Sequence, residues 1–261
     1  MNMSNRDTVS AGNKLASANR HAAAGVASSR KFALMAGVFY LLTFVSIPTL
    51  TLYSSVHDPN YIIGLGPDTG IIAGCILEII VALAGIGTAV ALFPVVKRQN
   101  EGIALGFVGS RTLEGCTIFV GVVSLLSVVS LRQAGAGSGA LITAHGLVAF
   151  YDRTFLLGQS FMPAINALLL GYLLYRSRLV PRVLPMLGLI GAPLLIASDI
   201  AVVFGVIGRI SAWSAIAALP IALWEFSLGV WLIFKGFNSS VISSEFLDAN
   251  VSGKKMTVSV V

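Results

Sequence analysis

Six long apolar segments make up most of this chain and restrict it to one broad class of fold. The chain has 261 residues, of which 56% are hydrophobic and only 11% are charged, whereas a soluble domain is about 25% charged. Each segment approaches the ~20 residues that a helix needs to cross a bilayer core. The sequence therefore predicts an all-α, polytopic transmembrane helix bundle with spans at residues 33–53, 71–96, 103–130, 154–175, 183–205 and 212–234.

The segments outside the spans define the predicted domains. Residues 33–238 are expected to form one six-span membrane domain, flanked by disordered cytoplasmic tails at 1–32 and 239–261. The apolar stretch 140–150 is too short to cross a bilayer, so it is either an interfacial helix or an extension of the fourth span. A transmembrane β-barrel is excluded because its strands alternate apolar and polar residues, which these segments do not.

Positive charge lies mainly on one side of the predicted membrane. The formal net charge is +6, with 17 Lys and Arg against 11 Asp and Glu. Most of the basic residues lie in the two tails and in the loops after the second and fourth spans, while the opposite side holds only Arg132, Arg153 and Arg209. This asymmetry follows the positive-inside rule and predicts that both termini are cytoplasmic. A lipid bilayer as partner thus explains the excess of basic residues, and no nucleic-acid partner is predicted.

Five ionisable residues lie inside the predicted spans, where a charge costs at least ~2.5 kcal/mol. They are Glu78, Arg111, Glu114, Asp199 and Glu225. Counting 1.5 Å per residue separates an Arg–Glu–Glu group near the midplane from the two remaining acids nearer the outside. Each lies on a helix face that also carries small residues, and such faces pack against neighbouring helices. We therefore expect all five side chains to point into the bundle.

The acids outnumber the intramembrane base by three. Arg111 and Glu114 are three residues apart on one helix and can pair directly. Each surplus acid must be protonated, hydrated or bound to a cation, which indicates a polar cavity or a proton path. The alternative is structural: Arg111 and Glu114, with or without Glu225, form a clasp that fixes helix register. In that case Glu78 and Asp199 are neutral acids bonded to neighbouring backbone.

No catalytic, cofactor or metal motif accompanies these charges. Cys75 and Cys116 fall inside spans and are interpreted as small buried thiols. His21, His57 and His145 lie outside the deep parts of the spans, so an intramembrane haem is not expected. There is no phosphate-binding loop, dinucleotide glycine motif or zinc spacing. The sequence thus predicts no cofactor, no metal site and no catalytic residues.

Three groups of motifs resemble one bacterial family. They are LFPVVKRQNEG at 92–102 with RTLE at 111–114, LGYLLYRSRLVPR at 170–182 with LGLIGAP at 187–193, and LPIALWE at 219–225 with WLIFKGF at 231–237. Together they resemble the six-span membrane proteins catalogued as domain of unknown function 4386, over roughly residues 30–238. The resemblance implies a multi-pass protein of the bacterial inner membrane and matches Arg111, Glu114 and Glu225 to the family pattern. It implies no activity.

Two functional hypotheses of different classes follow. The first is a transport or permeation protein for a small solute, coupled to protons or cations, with its polar site between spans two, three, five and six. The second is a structural or regulatory membrane partner protein whose charges are a packing clasp. A lipid-modifying enzyme is a third alternative, which needs a nucleophile or metal site that the sequence does not supply.

Overall fold

The computed structural model describes residues 3–244, with side chains described for Arg20 and from Ala23 onward. These residues are helical almost throughout and contain no strand. Three stretches adopt 3-10 geometry, Thr43–Ser46, Ser55–His57 and Gly137–Ala140, and a π-helical segment covers Leu156–Phe161. The α-helices are α1 (Met3–Leu42), α2 (Thr49–Leu52), α3 (Thr69–Val96), α4 (Glu101–Gln133), α5 (Leu141–Phe155), α6 (Met162–Ser177), α7 (Val183–Val203) and α8 (Ala212–Phe234).

Among the described residues, six helical stretches are long and apolar enough to cross a membrane. They are Ala23–Leu52, Thr69–Val96, Glu101–Gln133, Gly137–Ser177, Val183–Val203 and Ala212–Phe234. Their number and order match the predicted spans, although the first and fourth begin ten or more residues earlier than predicted, and the predicted all-α transmembrane bundle is confirmed. The chain is thus a multi-pass membrane protein. Residues 140–150 extend the fourth span rather than forming a separate helix on the surface.

The six spans close into a ring in chain order. α1 packs on α3, α3 on α4, α4 on both halves of the fourth span, α6 on α7, and α7 on α8, which returns to α1. Close approach at the closing contact depends on glycine: a Cβ at Gly37 would lie 2.7 Å from the Gly229 carbonyl oxygen. The ring therefore has a single interior to which every span contributes a face.

Two of the six spans depart from regular α geometry. In the first span, α1 gives way at Leu42 to the 3-10 turn Thr43–Ser46 and then to α2 beyond Pro48. In the fourth span, the π-helical segment Leu156–Phe161 ends two residues before Pro163. Proline cannot donate a backbone hydrogen bond and its ring crowds the carbonyl four residues earlier, here that of Gln159. A π-type turn relieves this crowding, which explains the irregularity from sequence.

Helical structure extends beyond the predicted membrane domain at both ends. Helix α1 is continuous through residues 23–32, where alanine-rich sequence favours helix. Arg30 donates to the carbonyl oxygens of Leu232 (2.8 Å) and Ile233, which ties α1 to the end of α8. Residues 239–244 are also helical, and Ile242 is fully buried. The remainder of the predicted second tail, 245–261, lies outside the described residues.

The bundle has two distinct ends. We call the end with residues 97–100, 178–182 and 235–244 the hairpin end, and the end with residues 53–68 and 204–211 the loop end. At the loop end Asp68 accepts hydrogen bonds from Tyr61 (2.6 Å) and Arg132 (2.8 Å). Burial opposes ionisation of Asp68, but bonds from Tyr61 and Gln133 and the charge of Arg132 leave its pKa lowered. Burial and the bond to Asp68 raise the pKa of Tyr61 to about 12.

A second tie at the loop end joins three segments through one carboxylate. Asp152 on α5 accepts from His57 (3.2 Å) and from Arg209 (2.7 Å). The hydrogen bond to Asp152 raises the pKa of His57 above 6.5, although burial acts in the opposite direction. The guanidinium of Arg209 also lies 4.8 Å from the ring centre of Phe155. The loops that follow the first and fifth spans are thereby held to the fourth.

Candidate functional site

Arg111 lies between two carboxylates at the centre of the ring. Its Nη1 donates to both oxygens of Glu114, at 3.2 and 3.1 Å, and its Nη2 donates to Oε1 of Glu225 on α8. Asn166 on α6 donates to Glu114 at 2.6 Å. Arg111 is 1% exposed, and its charge is compensated by two carboxylates rather than by water. The structure thus brings together the three residues that sequence analysis placed near the midplane.

Aromatic rings complete the surroundings of the guanidinium. Its central carbon lies 5.3 Å from the ring centre of Tyr40 on α1 and 5.9 Å from that of Phe107 on α4. Both rings are almost fully buried. Aromatic faces attract a cation at these distances, and they also exclude water from the hairpin-end side of the cluster. The cluster accordingly has a dry side at Tyr40 and Phe107 and an open side elsewhere.

The other two acids lie nearer the loop end and are separate from each other. Glu78 Oε1 accepts from Tyr151 at 2.7 Å and from Gln159 at 2.9 Å. Asp199 Oδ1 accepts from Ser160 at 2.7 Å. Their other oxygens, Glu78 Oε2 and Asp199 Oδ2, are buried without a hydrogen-bond partner among the described residues. The structural alternative expected bonds to neighbouring backbone, whereas side chains of the fourth span supply these bonds.

A cavity lies beside the midplane charges. Its volume is about 180 Å³. Arg111 and Glu114 of the third span and Glu225 of the sixth line it, whereas Glu78 and Asp199 do not. The remaining wall residues come from the other four spans and from α8: Thr43, Phe44, Ser46, Ile47, Val81, Gln159, Ser160, Pro163, Leu195, Ala218, Ile221 and Ala222.

Gln159 and Ser160 link the cavity to the outer acids. Both belong to the π-helical segment, both line the cavity, and they bind Glu78 and Asp199 respectively. Their importance was missed by the sequence analysis, which placed the site between spans two, three, five and six. The sequence signal for these two residues is that Gln159 lies four residues before Pro163, with Ser160 beside it, in an otherwise apolar span. Spans one and four must be added to the site.

The first span bends beside the cavity. Before Leu42 it packs on both α3 and α8, whereas Thr43–Ser46 and α2 pack mainly on α3. In the half of α8 nearer the loop end, Trp213 is 71% and Ile216 is 62% accessible. Ile47, which lines the cavity, is 61% exposed. The cavity wall thus reaches the exposed side of the bundle at Ile47.

The described residues contain no group of three or more His, Cys, Asp or Glu side chains arranged to hold a metal ion. Cys75 is buried, but Cys116 is exposed on α4, so its interpretation as a buried thiol was wrong. What the site offers is a carboxylate-rich cavity with one internal counter-ion. Such a site can exchange protons or hold a cation.

Comparison with known proteins identifies the family. The model of the domain of unknown function DUF4386 matches residues 35–236, which include all five intramembrane charges and every cavity residue. No curated protein and no solved structure matches the chain significantly. The family match covers more than half of the chain and all six spans of the ring. The chain therefore belongs to the DUF4386 family of multi-pass membrane proteins.

Proposed function

We propose that this protein moves a small solute across the membrane through its central cavity, coupled to protons or cations. The observation that carries the proposal is the position of the cavity, which takes wall residues from all six spans. Because every span contributes to the cavity wall, movement of two spans relative to each other can change the side of the membrane from which a solute enters. A packing clasp between two helices would need no such space.

The charge balance supports coupling to a cation. If all three groups of the midplane cluster are ionised, Arg111, Glu114 and Glu225 carry one net negative charge. Both oxygens of Glu114 are occupied by Arg111 and Asn166, whereas the side chain of Glu225 borders the cavity and is 12% exposed. An excess negative charge in a low-dielectric site is neutralised by a proton or a bound cation. Glu225 is therefore the group that we assign to coupling.

The irregular spans support movement at the same place. Transporters commonly build their sites from interrupted helices near the bilayer midplane, and π-type turns often occur at functional sites. Here the 3-10 turn Thr43–Ser46 and the π segment Leu156–Phe161 both contribute cavity wall. Backbone of this kind is tolerated at membrane depth where it is buried or lines a cavity. These two segments are the hinges that we propose.

Glu78 and Asp199 fit the role of secondary proton acceptors. Each has one bonded and one unpartnered oxygen, and neither contacts a basic side chain among the ion pairs of the described residues. Each is linked to the cavity by a single side chain, Gln159 or Ser160. A rotation of either linking side chain would expose the acid to cavity water.

The distribution of charge supports one orientation. The hairpin end carries Lys97, Arg176, Arg182 and Lys235. The first span enters the bundle at this end, and the chain after α8 continues there. We infer from the positive-inside rule that this end is cytoplasmic and that the membrane is the bacterial inner membrane.

A structural role for the charges is the second candidate. It is favoured by the complete enclosure of Arg111, whose two amino groups are both occupied by carboxylates. A clasp predicts that charge removal alters stability alone. Transport predicts that flux is lost even when stability is restored.

Reconstitution into proteoliposomes tests the proposal. A pH gradient is imposed in the presence of candidate cations, and a fluorescent dye trapped inside the vesicles reports how fast it decays. Transport is supported if the gradient decays faster than in protein-free vesicles and if Glu225→Gln abolishes this acceleration. Identical behaviour of Glu225→Gln, Glu114→Gln and the unmodified protein in every detected flux contradicts it.

A further inference from the structure

The cavity has walls of two different chemical kinds. One wall carries Glu225 and the hydroxyl and amide groups of Ser160 and Gln159. The rest of the wall includes the apolar side chains of Phe44, Leu195 and Ile221, the last of them one turn before Glu225 on α8. An inorganic cation gains nothing from this apolar part of the wall, because hard cations are bound through oxygen. A ligand with a charged head and a hydrocarbon body would use both.

The sign of the ligand charge follows from the occupancy of Arg111. Its two amino groups are bonded to Glu114 and Glu225, so its positive charge is already compensated. An anion entering the cavity would meet a cluster with net negative charge. A monocation would instead bring the cluster to neutrality. Phe44 adds an aromatic ring to the cavity wall, and rings of this kind attract organic cations.

The volume and the opening limit size and route. At about 180 Å³ the cavity is smaller than the roughly 300–1,000 Å³ of pockets that hold drug-sized ligands. Its opening lies beside exposed apolar residues, Ile47 on the first span and Leu219 on α8. Small amphiphilic molecules that partition into the bilayer would reach this opening directly. A strongly hydrated ion would not take this route through lipid.

We propose that the cavity binds a small alkylammonium ion, which enters from the lipid side, places its ammonium group at Glu225 and lays its hydrocarbon chain on the apolar wall. This inference rests on the proposed function, since it names the class of solute for the same cavity. The ammonium group donates to the Glu225 carboxylate and neutralises the excess charge of the cluster. The hydrocarbon chain adds affinity for each methylene that it removes from water.

Calorimetric titration of the purified protein in lipid nanodiscs tests this assignment with n-butylammonium chloride as the probe. n-Butanol and sodium butyrate have the same chain length with no charge and with negative charge. We expect n-butylammonium to bind and the two other compounds to bind at least about thirty-fold more weakly, as loss of a buried charge pair requires. Equal binding of n-butanol, or no binding of n-butylammonium, overturns the inference.

Two variants assign the binding to the cavity. Glu225→Gln should weaken n-butylammonium binding by about thirty-fold or more, whereas the matched control Glu101→Gln, on the exposed first turn of α4, should leave it unchanged. If Glu225→Gln does not fold, Ala222→Leu serves instead, because it fills the apolar wall without altering charge. It should bind n-butylammonium more weakly than methylammonium. Unchanged binding in both variants overturns the assignment.

Flux measurements separate this inference from the proposed function. Proton or sodium flux in proteoliposomes without binding of n-butylammonium would overturn the inference and leave transport standing. Binding at Glu225 without flux of any tested solute would uphold the inference and contradict transport.

Discussion

Arg111 and Glu225 are 114 residues apart in the chain, yet the guanidinium of one donates directly to the carboxylate of the other. This contact joins the third and sixth spans inside the ring, and the same guanidinium holds Glu114 on its own helix. Since Arg111 is almost completely buried, the two carboxylates replace its hydration. The contact is therefore both a structural tie and one border of the cavity. Separate measurements of stability and of flux distinguish these two roles.

Replacement of Arg111 should destabilise the fold. Arg111→Ala leaves two carboxylates buried without a cation, and breaking a buried pair costs about 3–5 kcal/mol. The charge-compensated variant Arg111→Met/Glu114→Gln should recover most of this loss. Thermal unfolding in detergent micelles measures both effects. If the double variant regains stability and also regains flux, Arg111 and Glu114 act as a clasp, and coupling rests on Glu225 alone.

Close packing between α7 and α8 should depend on a glycine. A Cβ at Gly188 would lie 2.9 Å from the indole ring of Trp224, the largest of the fully buried side chains. Gly188→Val should therefore lower the free energy of unfolding by about 1–3 kcal/mol, as expected for overpacking. Gly109→Val is the matched control, because a Cβ at Gly109 meets nothing within 4 Å. Equal melting temperatures of the two variants would show that α7 and α8 do not pack in this way.

Water should reach the cavity wall but not the neighbouring core. In a Cys116→Ser background, Ala222→Cys places a thiol on the cavity wall, whereas Ala164→Cys places one at a fully buried position. A charged methanethiosulfonate reagent, which requires hydrated thiolate, should modify the first variant and spare the second. Mass spectrometry of the intact protein gives the extent of reaction. An unreactive Ala222→Cys would mean that the cavity is closed to water.

The tie between His57 and Asp152 should give the loop end a small pH dependence. The pKa of His57 is raised in the folded protein, so its contribution to stability is complete below about pH 6.5 and is lost as pH rises through the folded value. Both side chains are about one-third exposed, and solvent screening limits the effect to about 1–2 °C in melting temperature. The shift between mildly acidic and mildly alkaline buffer should be smaller in His57→Gln. An identical shift in both proteins would assign it to other groups.

The spans could be predicted from sequence because their signal is local. A run of about twenty apolar residues defines a membrane helix wherever its neighbours lie, and the predicted boundaries agree with the structure within a few residues for spans two, five and six. The pairing of Arg111 with Glu114 was also local, since residues three apart share a helix face. The pairing with Glu225 could be suggested only as an option, because it depends on which spans adjoin.

The linking side chains could not be found in the same way. Gln159 and Ser160 are adjacent in sequence, but the π-type turn directs them to acids on different helices, α3 and α7. That turn results from crowding at Pro163, whose ring meets the carbonyl four residues earlier. Contacts at the two ends of the membrane domain are also between distant elements: Arg30 donates to the end of α8, and Asn238 donates to Leu179 in the loop before α7.

Removal of the linking amide should impair coupling more than stability. Gln159→Leu keeps the volume of the side chain but removes a donor to Glu78, which retains its bond from Tyr151. Ser127→Ala on α4 is the control, because its hydroxyl is exposed and bonds only backbone in its own helix. Proton flux should fall severalfold in Gln159→Leu and stay unchanged in Ser127→Ala. Unimpaired flux in Gln159→Leu would remove Glu78 from the proton path.

Proton flux through Glu225→Gln in proteoliposomes is the most direct test of the central claim. The substitution keeps the side-chain volume and a hydrogen-bond acceptor for Arg111, while it removes the titratable group that borders the cavity. We predict that the variant folds with a melting temperature close to that of the unmodified protein but dissipates an imposed pH gradient no faster than empty vesicles. Dissipation at the unmodified rate would contradict the claim that Glu225 couples protons or cations to movement through the cavity.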